Sequence, residues 1–239
     1  MVPEAHRARA QAAKELGIDV AGVSFHVGSG ATNPAAFSEA IALAASAFAA
    51  GAAAGHGAMT LLDIGGGFCG GVFGPDGRVD LGGVPAAVNA ALAAHFPLGC
   101  GVRVIAEPGR YFAEAAATLA CLVYGVRDGR GPDGSPTRDY WITDGLYGSM
   151  NSVLYDHAEL ACRPLGQPGP PAGPLLASTV FGPTCDGLDT VLRGYGLPRL
   201  DNGDWLVFPK MGAYTRTGAS AFNGFDATAP HVFYVFSQG

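Results

Sequence analysis

The sequence predicts an α/β half followed by a mostly antiparallel β half. Up to residue 113, apolar runs that end in glycine-rich loops alternate with segments of helical periodicity. From residue 114 to 239, strand-like runs succeed one another with little helix between them. Hydrophobic residues make up 49% of the 239, enough for a sizeable core in one large or two modest domains.

The elements follow in order. Pro3 to Leu16 carries Ala5, Ala8, Ala12 and Leu16 at helical spacing, with Gly17 as a stop. VAGVSFHV reads as a strand that ends in GSG. Asn33 is placed to cap the next helix, with Pro34 in its first turn and Phe37, Ile41, Ala45 and Phe48 on one face. MTLLDI is a second strand, ending in GGGF. Val84, Val88, Leu92 and Phe96 mark a third helix, and VRVIAE is the strand that leads into EPGR. This order is that of βαβ units, whose chemistry collects at the carboxyl ends of the strands in barrels and open sheets alike. About three units are present, and a barrel closes with about eight strands.

In the second half, TLACLVYGVR, DYWITD, LLASTVF, DWLVFP and HVFYVFS are strand-like. GRGPDGSPTR and RPLGQPGPPAGPL read as surface connections, because proline and glycine punctuate regular structure.

A formal charge of −6 with no basic cluster excludes nucleic acid and anionic membrane as default partners. The stretch AIALAASAFAAGAAAG is alanine-dominated and preceded by Ser38 and Glu39, and reads as a core helix rather than a membrane span. Five cysteines, Cys69, Cys100, Cys121, Cys162 and Cys185, show no metal-ligand spacing, which predicts reduced thiols, no metal site and a cytoplasmic location. The N-terminal MVPEAHRARAQ lacks the pattern of a secretory signal.

Three loops, HVGSG, GGGF with Gly65, Gly66 and Gly67, and Glu107-Pro108-Gly109-Arg110, recur at strand ends. Backbone N–H groups of such loops cradle anions, and Arg110 adds a bidentate clamp. His26 is either a core histidine or a flat partner for a planar ring. Glu107 is either the partner of Arg110 or a carboxylate that keeps a heterocyclic nitrogen protonated. In FGPTCDGLD, Cys185 is either a small packed thiol or a proton donor beside Asp186. Tyr147, Tyr155 and Asp156 in YGSMNSVLYDH form a candidate amine-binding cluster, and Tyr214 is either a phosphate donor or a packing residue.

VSFHVGSG, LLDIGGGF, AEPGRYF, DGLYGSMNSVLYDH, FGPTCDGLD, and GDWLVF with MGAYTRTGASAFNGF together resemble the pyridoxal-phosphate-dependent ornithine decarboxylases. The resemblance runs in order from near residue 10 to the C-terminus. It implies the C-terminal part of an alanine-racemase-like (β/α)8 barrel over residues 1–113, followed by a β domain. His26 would stack on the pyridine ring, Glu107 would face its nitrogen, and Ser29, Gly67, Gly109, Arg110 and Tyr214 would hold the phosphate. Tyr155, Asp156 and Asp186 would bind the amino-acid substrate, and Cys185 would return a proton to carbon. The family's active site lies between two subunits, which implies a homodimer. Its cofactor-bearing lysine lies on an early barrel strand with no counterpart here; the only lysines are Lys14 and Lys210, and Cys69 stands where the family usually has proline.

Overall fold

The computed structural model describes residues 2–70, 72–73, 79–166, 173–226 and 231–235. The chain divides into two units, residues 1–114 and 115–239.

The first unit opens with helix α1 (Val2–Glu15), which stops as predicted where Gly17 takes φ +68°, and continues into β1 (Gly22–Ser24). Helix α2 (Pro34–Ala53) begins at Asn33, whose side chain accepts the Ala35 N–H at 3.1 Å. Strand β2 (Leu61–Asp63) follows, then the short β3 (Val72–Phe73) and β4 (Val79–Asp80), α3 (Val84–His95), β5 (Arg103–Ile105) and α4 (Gly109–Ala113). β1, β2 and β5 form a parallel sheet in that order, with Val23 opposite Leu62 and Leu62 opposite Val104.

The core lies where α2 and α3 meet this sheet. Phe37, Ile41 and Ala44 of α2 pack with Leu62, Val84 and Val88, and the Phe37 and Phe68 rings stack at 4.9 Å. By length and composition α2 is able to cross a membrane, yet Phe37 and Ile41 are buried in this core and Phe48 packs against it. Phe48 and Phe96 close its far end edge to face at 5.2 Å.

The second unit holds β6 (Leu119–Arg130), β7 (Pro136–Ile142), α5 (Ser152–Tyr155), β8 (Arg163–Pro164), β9 (Leu176–Phe181), β10 (Thr190–Leu197) and β11 (Trp205–Phe208). They form one sheet in the order β10-β9-β7-β6-β11-β8. All neighbours are antiparallel except β7 and β9, so the mostly antiparallel expectation meets one parallel pair. Two further departures have physical causes. β10 escaped the sequence reading because Arg193, Gly194 and Gly196 interrupt its apolar pattern, and it pairs with two register shifts. HVFYVFS was expected as a strand, but residues 231–235 are not one, and Val232 to Val235 are 64–91% exposed. Alternating apolar residues become a strand only where a neighbour completes the ladder; residues 236–237 of that stretch lie outside the described residues.

Period-2 patterning places Arg138, Tyr140 and Ile142 of β7 on one buried face. A buried guanidinium must have its donors met. Nε and Nη2 of Arg138 donate to the Leu200 carbonyl at 3.1 and 2.7 Å, Nη1 to Asp128 at 2.5 Å, and Nη2 to Asp201 at 2.9 Å. Arg199 joins Asp128 at 3.0 Å from the solvent side. Hydrogen bonds from Arg138 and then Arg199 hold the Asp128 carboxyl below its usual range. A carboxylate depressed on folding adds stability above its unfolded value of about 3.9 and loses it as pH falls through the folded value. The melting temperature of the chain is therefore expected to fall on acidification below about pH 4, and Asp128→Asn to lower it at neutral pH while flattening that acid slope. Thermal denaturation followed by circular dichroism measures both; an unchanged slope in the variant contradicts the assignment.

Candidate functional site

In the first unit the loops after β1, β2 and β5 lie against one another. Asp63 ends β2 buried and accepts the Gly65 N–H at 2.8 Å, which turns the chain sharply. The Gly66 N–H donates to Nδ1 of His26 at 3.2 Å, so the neutral imidazole carries its proton on Nε2. The Glu107 N–H reaches the Gly65 carbonyl at 2.7 Å, and the Ala31 N–H reaches the Gly67 carbonyl at 2.9 Å.

Glycine is required where these backbones touch. A Cβ on Gly66 would stand 2.7 Å from the Glu107 carbonyl and 3.1 Å from the His26 ring. On Gly67, whose φ is +96°, it would stand 2.4 Å from the Gly28 carbonyl. His26 and Glu107 thus flank Gly66, and both are exposed.

Arg110 is not the partner of Glu107. Its Nε donates to Ser29 Oγ at 2.9 Å, and Nη1 pairs with Glu114 at 3.6 Å. Among the described residues the Glu107 carboxylate makes no hydrogen bond or ion pair, so it is open to a cationic ring nitrogen. The Gly109 N–H, expected to face a phosphate, is instead taken by the Glu107 carbonyl at 2.8 Å, which closes the turn around Pro108. The loops therefore offer a flat imidazole, a carboxylate and a guanidinium at one strand-end surface, which suits a planar ring with an anionic tail.

The second unit assembles a different cluster. Tyr147 donates a very short hydrogen bond to Asp186, and its ring stacks on Phe222 with centroids 4.1 Å apart. That bond pushes the Tyr147 phenol up to about 12, with burial adding to it, and pulls Asp186 down. Tyr155 and Asp156 stand at the end of α5, and Tyr155, 76% exposed, adds a small electrostatic push on Tyr147. Cys185 is exposed, and Asn223 donates to its sulfur at 3.3 Å. Burial pushes the Cys121 thiol far up and that of Cys162 to about 12, so these two behave as packing residues. Tyr214 belongs to this unit, exposed at φ +54°.

Sequence reasoning missed the residues that hold these clusters. Asp189, 1% exposed, accepts the Leu146 N–H at 2.8 Å, the Thr184 N–H at 3.0 Å and the Thr184 hydroxyl at 2.8 Å. It ties the Asp186 loop to the Tyr147 loop. Asn151 donates to the carbonyls of Gly148 and Thr215, and the Ser220 N–H donates to the Tyr147 carbonyl at 2.8 Å. Asn223 was visible only as part of FNGF, and Glu114 as one more acid after AEPGRYF. A side chain that meets partners far along the chain leaves no local period to read.

Residues 1–114 match the family described as "Pyridoxal-dependent decarboxylase, pyridoxal binding domain". The chain is 46% identical to the chloroplastic ornithine decarboxylase of Nicotiana glutinosa over 98% of its own length and 54% of that protein. It is 43% identical to the ornithine decarboxylase of Rattus norvegicus over 95% of its length and 50% of that protein. Among solved structures it resembles the arginine decarboxylase of Paramecium bursaria Chlorella virus, with TM-score 0.80 and 35% identity over 93% of this chain and 57% of that one. The lysine/ornithine decarboxylase of Vibrio vulnificus, complexed with cadaverine, gives TM-score 0.76 and 35% identity over 94% and 58%. The chain spans about half the length of the curated relatives it matches. These neighbours identify the βα units of the first unit as part of a barrel and the second unit as the accompanying β domain.

The two clusters make separate predictions. Gly67→Ala is expected to distort the contact with Gly28 and lower the melting temperature, while Gly109→Ala, whose Cβ meets nothing within 4 Å, changes it little. In Asp186→Asn the absorbance titration of Tyr147 is expected to shift to lower pH than in the parent, because the carboxylate that opposes phenolate formation is gone.

Proposed function

We propose that the chain belongs to the pyridoxal-dependent decarboxylase family and that it is a pyridoxal-phosphate-binding, substrate-recognising part of an ornithine decarboxylase. The observation that carries the proposal is that the Glu107 backbone and the His26 ring both close on Gly66, with the Glu107 carboxylate unpaired among the described residues, while Arg110 is held against Ser29. The residues fit the cofactor: Gly65, Gly66 and Gly67 leave room only for backbone, and the charges suit a protonated ring with an anionic tail.

When bound, the cofactor supplies an acceptor for the electron pair left when carbon dioxide departs. The protein's own residues do the rest. Glu107 pairs with the ring nitrogen and keeps it protonated, and His26 presents a flat face to the ring. Ser29, the backbone of Gly67 and Arg110, and the Arg110 side chain hold the phosphate. Asp186, kept ionised by Tyr147, takes the distal amine of the substrate, with Tyr155 and Asp156 beside it. Cys185 gives its proton to the substrate carbon. Ornithine is the proposed substrate because the relatives matched over nearly the whole chain bear that name; lysine and arginine decarboxylases are the structural alternatives. Putrescine is then the product, and polyamine synthesis the purpose. We further propose a homodimer in which the Cys185 loop of one subunit serves the partner's cofactor. The five cysteines, none in a disulfide, suit a cytoplasmic location.

A second reading, a decarboxylase-like binding protein without turnover, rests on the lysines. Lys14 lies on α1 with Nζ donating to the Gly55 carbonyl at 2.7 Å, and Lys210 precedes Met211 in the β domain. Neither stands at the end of a parallel strand.

Pyridoxal phosphate is therefore expected to bind this chain reversibly, and borohydride is expected to leave no lysine-linked label on peptide mass analysis. A label on Lys14 or Lys210 contradicts this. Arg110→Ala is expected to weaken binding roughly 10- to 100-fold by fluorescence titration. In an assembly that supplies a lysine, Cys185→Ala is expected to cut putrescine release from labelled ornithine by roughly 100-fold or more with cofactor affinity unchanged. Equal loss of both assigns Cys185 to packing, and release of cadaverine or agmatine in preference moves the substrate to lysine or arginine.

A further inference from the structure

Arg110 does not reach its position alone. It sits on α4, and one helical turn later comes Glu114, at the start of a 3₁₀ turn that runs to Ala116. Both side chains are well enclosed, 12% and 13% exposed. Glu114 Oε2 lies 3.6 Å from Arg110 Nη1 and accepts the Gly70 N–H at 2.9 Å. Arg110 Nε in turn donates to Ser29 Oγ at 2.9 Å. One carboxylate thus links all three strand-end loops, in the order Ser29, Arg110, Glu114, Gly70. Gly70 has come close enough that a Cβ on it would lie 2.7 Å from that of Glu114.

We propose that Glu114 is a positioning residue: it locks the tail of the glycine loop to the Arg110 guanidinium, so that the anion cradle is assembled before any ligand arrives. The inference rests on the proposed binding of a phosphate-bearing cofactor by these loops. Two effects of Glu114 on an anion oppose each other. Its charge repels the phosphate, though the Arg110 guanidinium 3.6 Å away screens that charge. Its hydrogen bond and ion pair hold Arg110 and the loop in place, which removes the cost of ordering a long, rotamer-rich side chain on binding. A charge-assisted hydrogen bond made by an enclosed carboxylate outweighs a screened repulsion, so the positioning effect governs.

Glu114→Ala and Glu114→Gln separate the contributions, since glutamine keeps an acceptor for the Gly70 N–H. Titrations of the whole chain with pyridoxal phosphate and with pyridoxal, which lacks the phosphate, read the cradle directly. Glu114→Ala is expected to weaken pyridoxal phosphate about tenfold and pyridoxal less than about twofold, with Glu114→Gln recovering most of the loss. Amide hydrogen exchange adds a readout without ligand: exchange at Gly70 is expected to speed up in Glu114→Ala and to stay near the parent rate in Glu114→Gln. Unchanged or tighter pyridoxal phosphate binding in Glu114→Ala, or equal loss for both ligands, overturns the assignment. If the parent chain binds pyridoxal phosphate no better than pyridoxal, the cofactor reading fails and this inference fails with it. If the parent discriminates and Glu114→Ala discriminates equally well, only the role of Glu114 fails.

Discussion

The close approach of three backbones at the ends of β1, β2 and β5 is the constraint on which the first unit depends. Parallel strands about 4.8 Å apart deliver their exit loops side by side. Those loops meet only if nothing projects between them. Gly65, Gly66 and Gly67 satisfy that condition by having no Cβ, and a Cβ on Gly65 would lie 2.0 Å from the Phe25 carbonyl. The same contact aligns His26 and Glu107 on either side of Gly66 and brings Arg110 to Ser29. The chemistry of the surface is therefore set by sterics first and by charge second.

Much of this was legible in the sequence because its causes are local. A strand that ends in consecutive glycines announces a tight exit, and a glutamate and an arginine three apart around Pro108-Gly109 announce a turn with charge on it. The pairing of that charge was not legible. Arg110 finds Ser29 and Glu114, and among the described residues Glu107 is left open, because the helical turn of α4 carries the arginine away from its near neighbour. Packing at a distance was equally hidden. Arg138 ends GRGPDGSPTR, which read as a surface connection, yet Pro136 to Arg138 belong to β7 and strand periodicity buries Arg138 among Asp128, Asp201 and the Leu200 carbonyl. Residues 231–235 failed in the opposite sense: the pattern was right for a strand, and the partner that makes a strand is not among the described residues.

The second unit solves a different problem, which is to keep one carboxylate ionised and aimed. Asp189 spends its own carboxylate, buried, on main-chain and hydroxyl donors of the two loops that carry Tyr147 and Asp186. Removing it would leave those donors unpaired in a dry site, which is costlier than the bonds themselves are stabilising. With the loops fixed, Tyr147 needs only its hydroxyl to hold Asp186 in the charged form, and Phe222 stacks on the tyrosine to hold the ring. An ionised, oriented carboxylate of this kind is suited to a cationic group.

The thiols show how the same residue type is assigned opposite tasks by environment. Cys121 and Cys162 sit in the sheet core, where burial opposes thiolate formation, and their sulfur serves as a small apolar volume. Cys185 sits outside that core, next to Asp186 and under an amide donor from Asn223. Asn223 adopts φ +59°, a conformation asparagine tolerates better than most residues, and Gly224 follows at φ +80°. The short 3₁₀ turn that they form places Phe222 on Tyr147 and Asn223 on Cys185 at once. A donor to sulfur fixes where the thiol lies without consuming its proton. Cys185 is thus exposed and fixed in place, and neither core cysteine combines those properties.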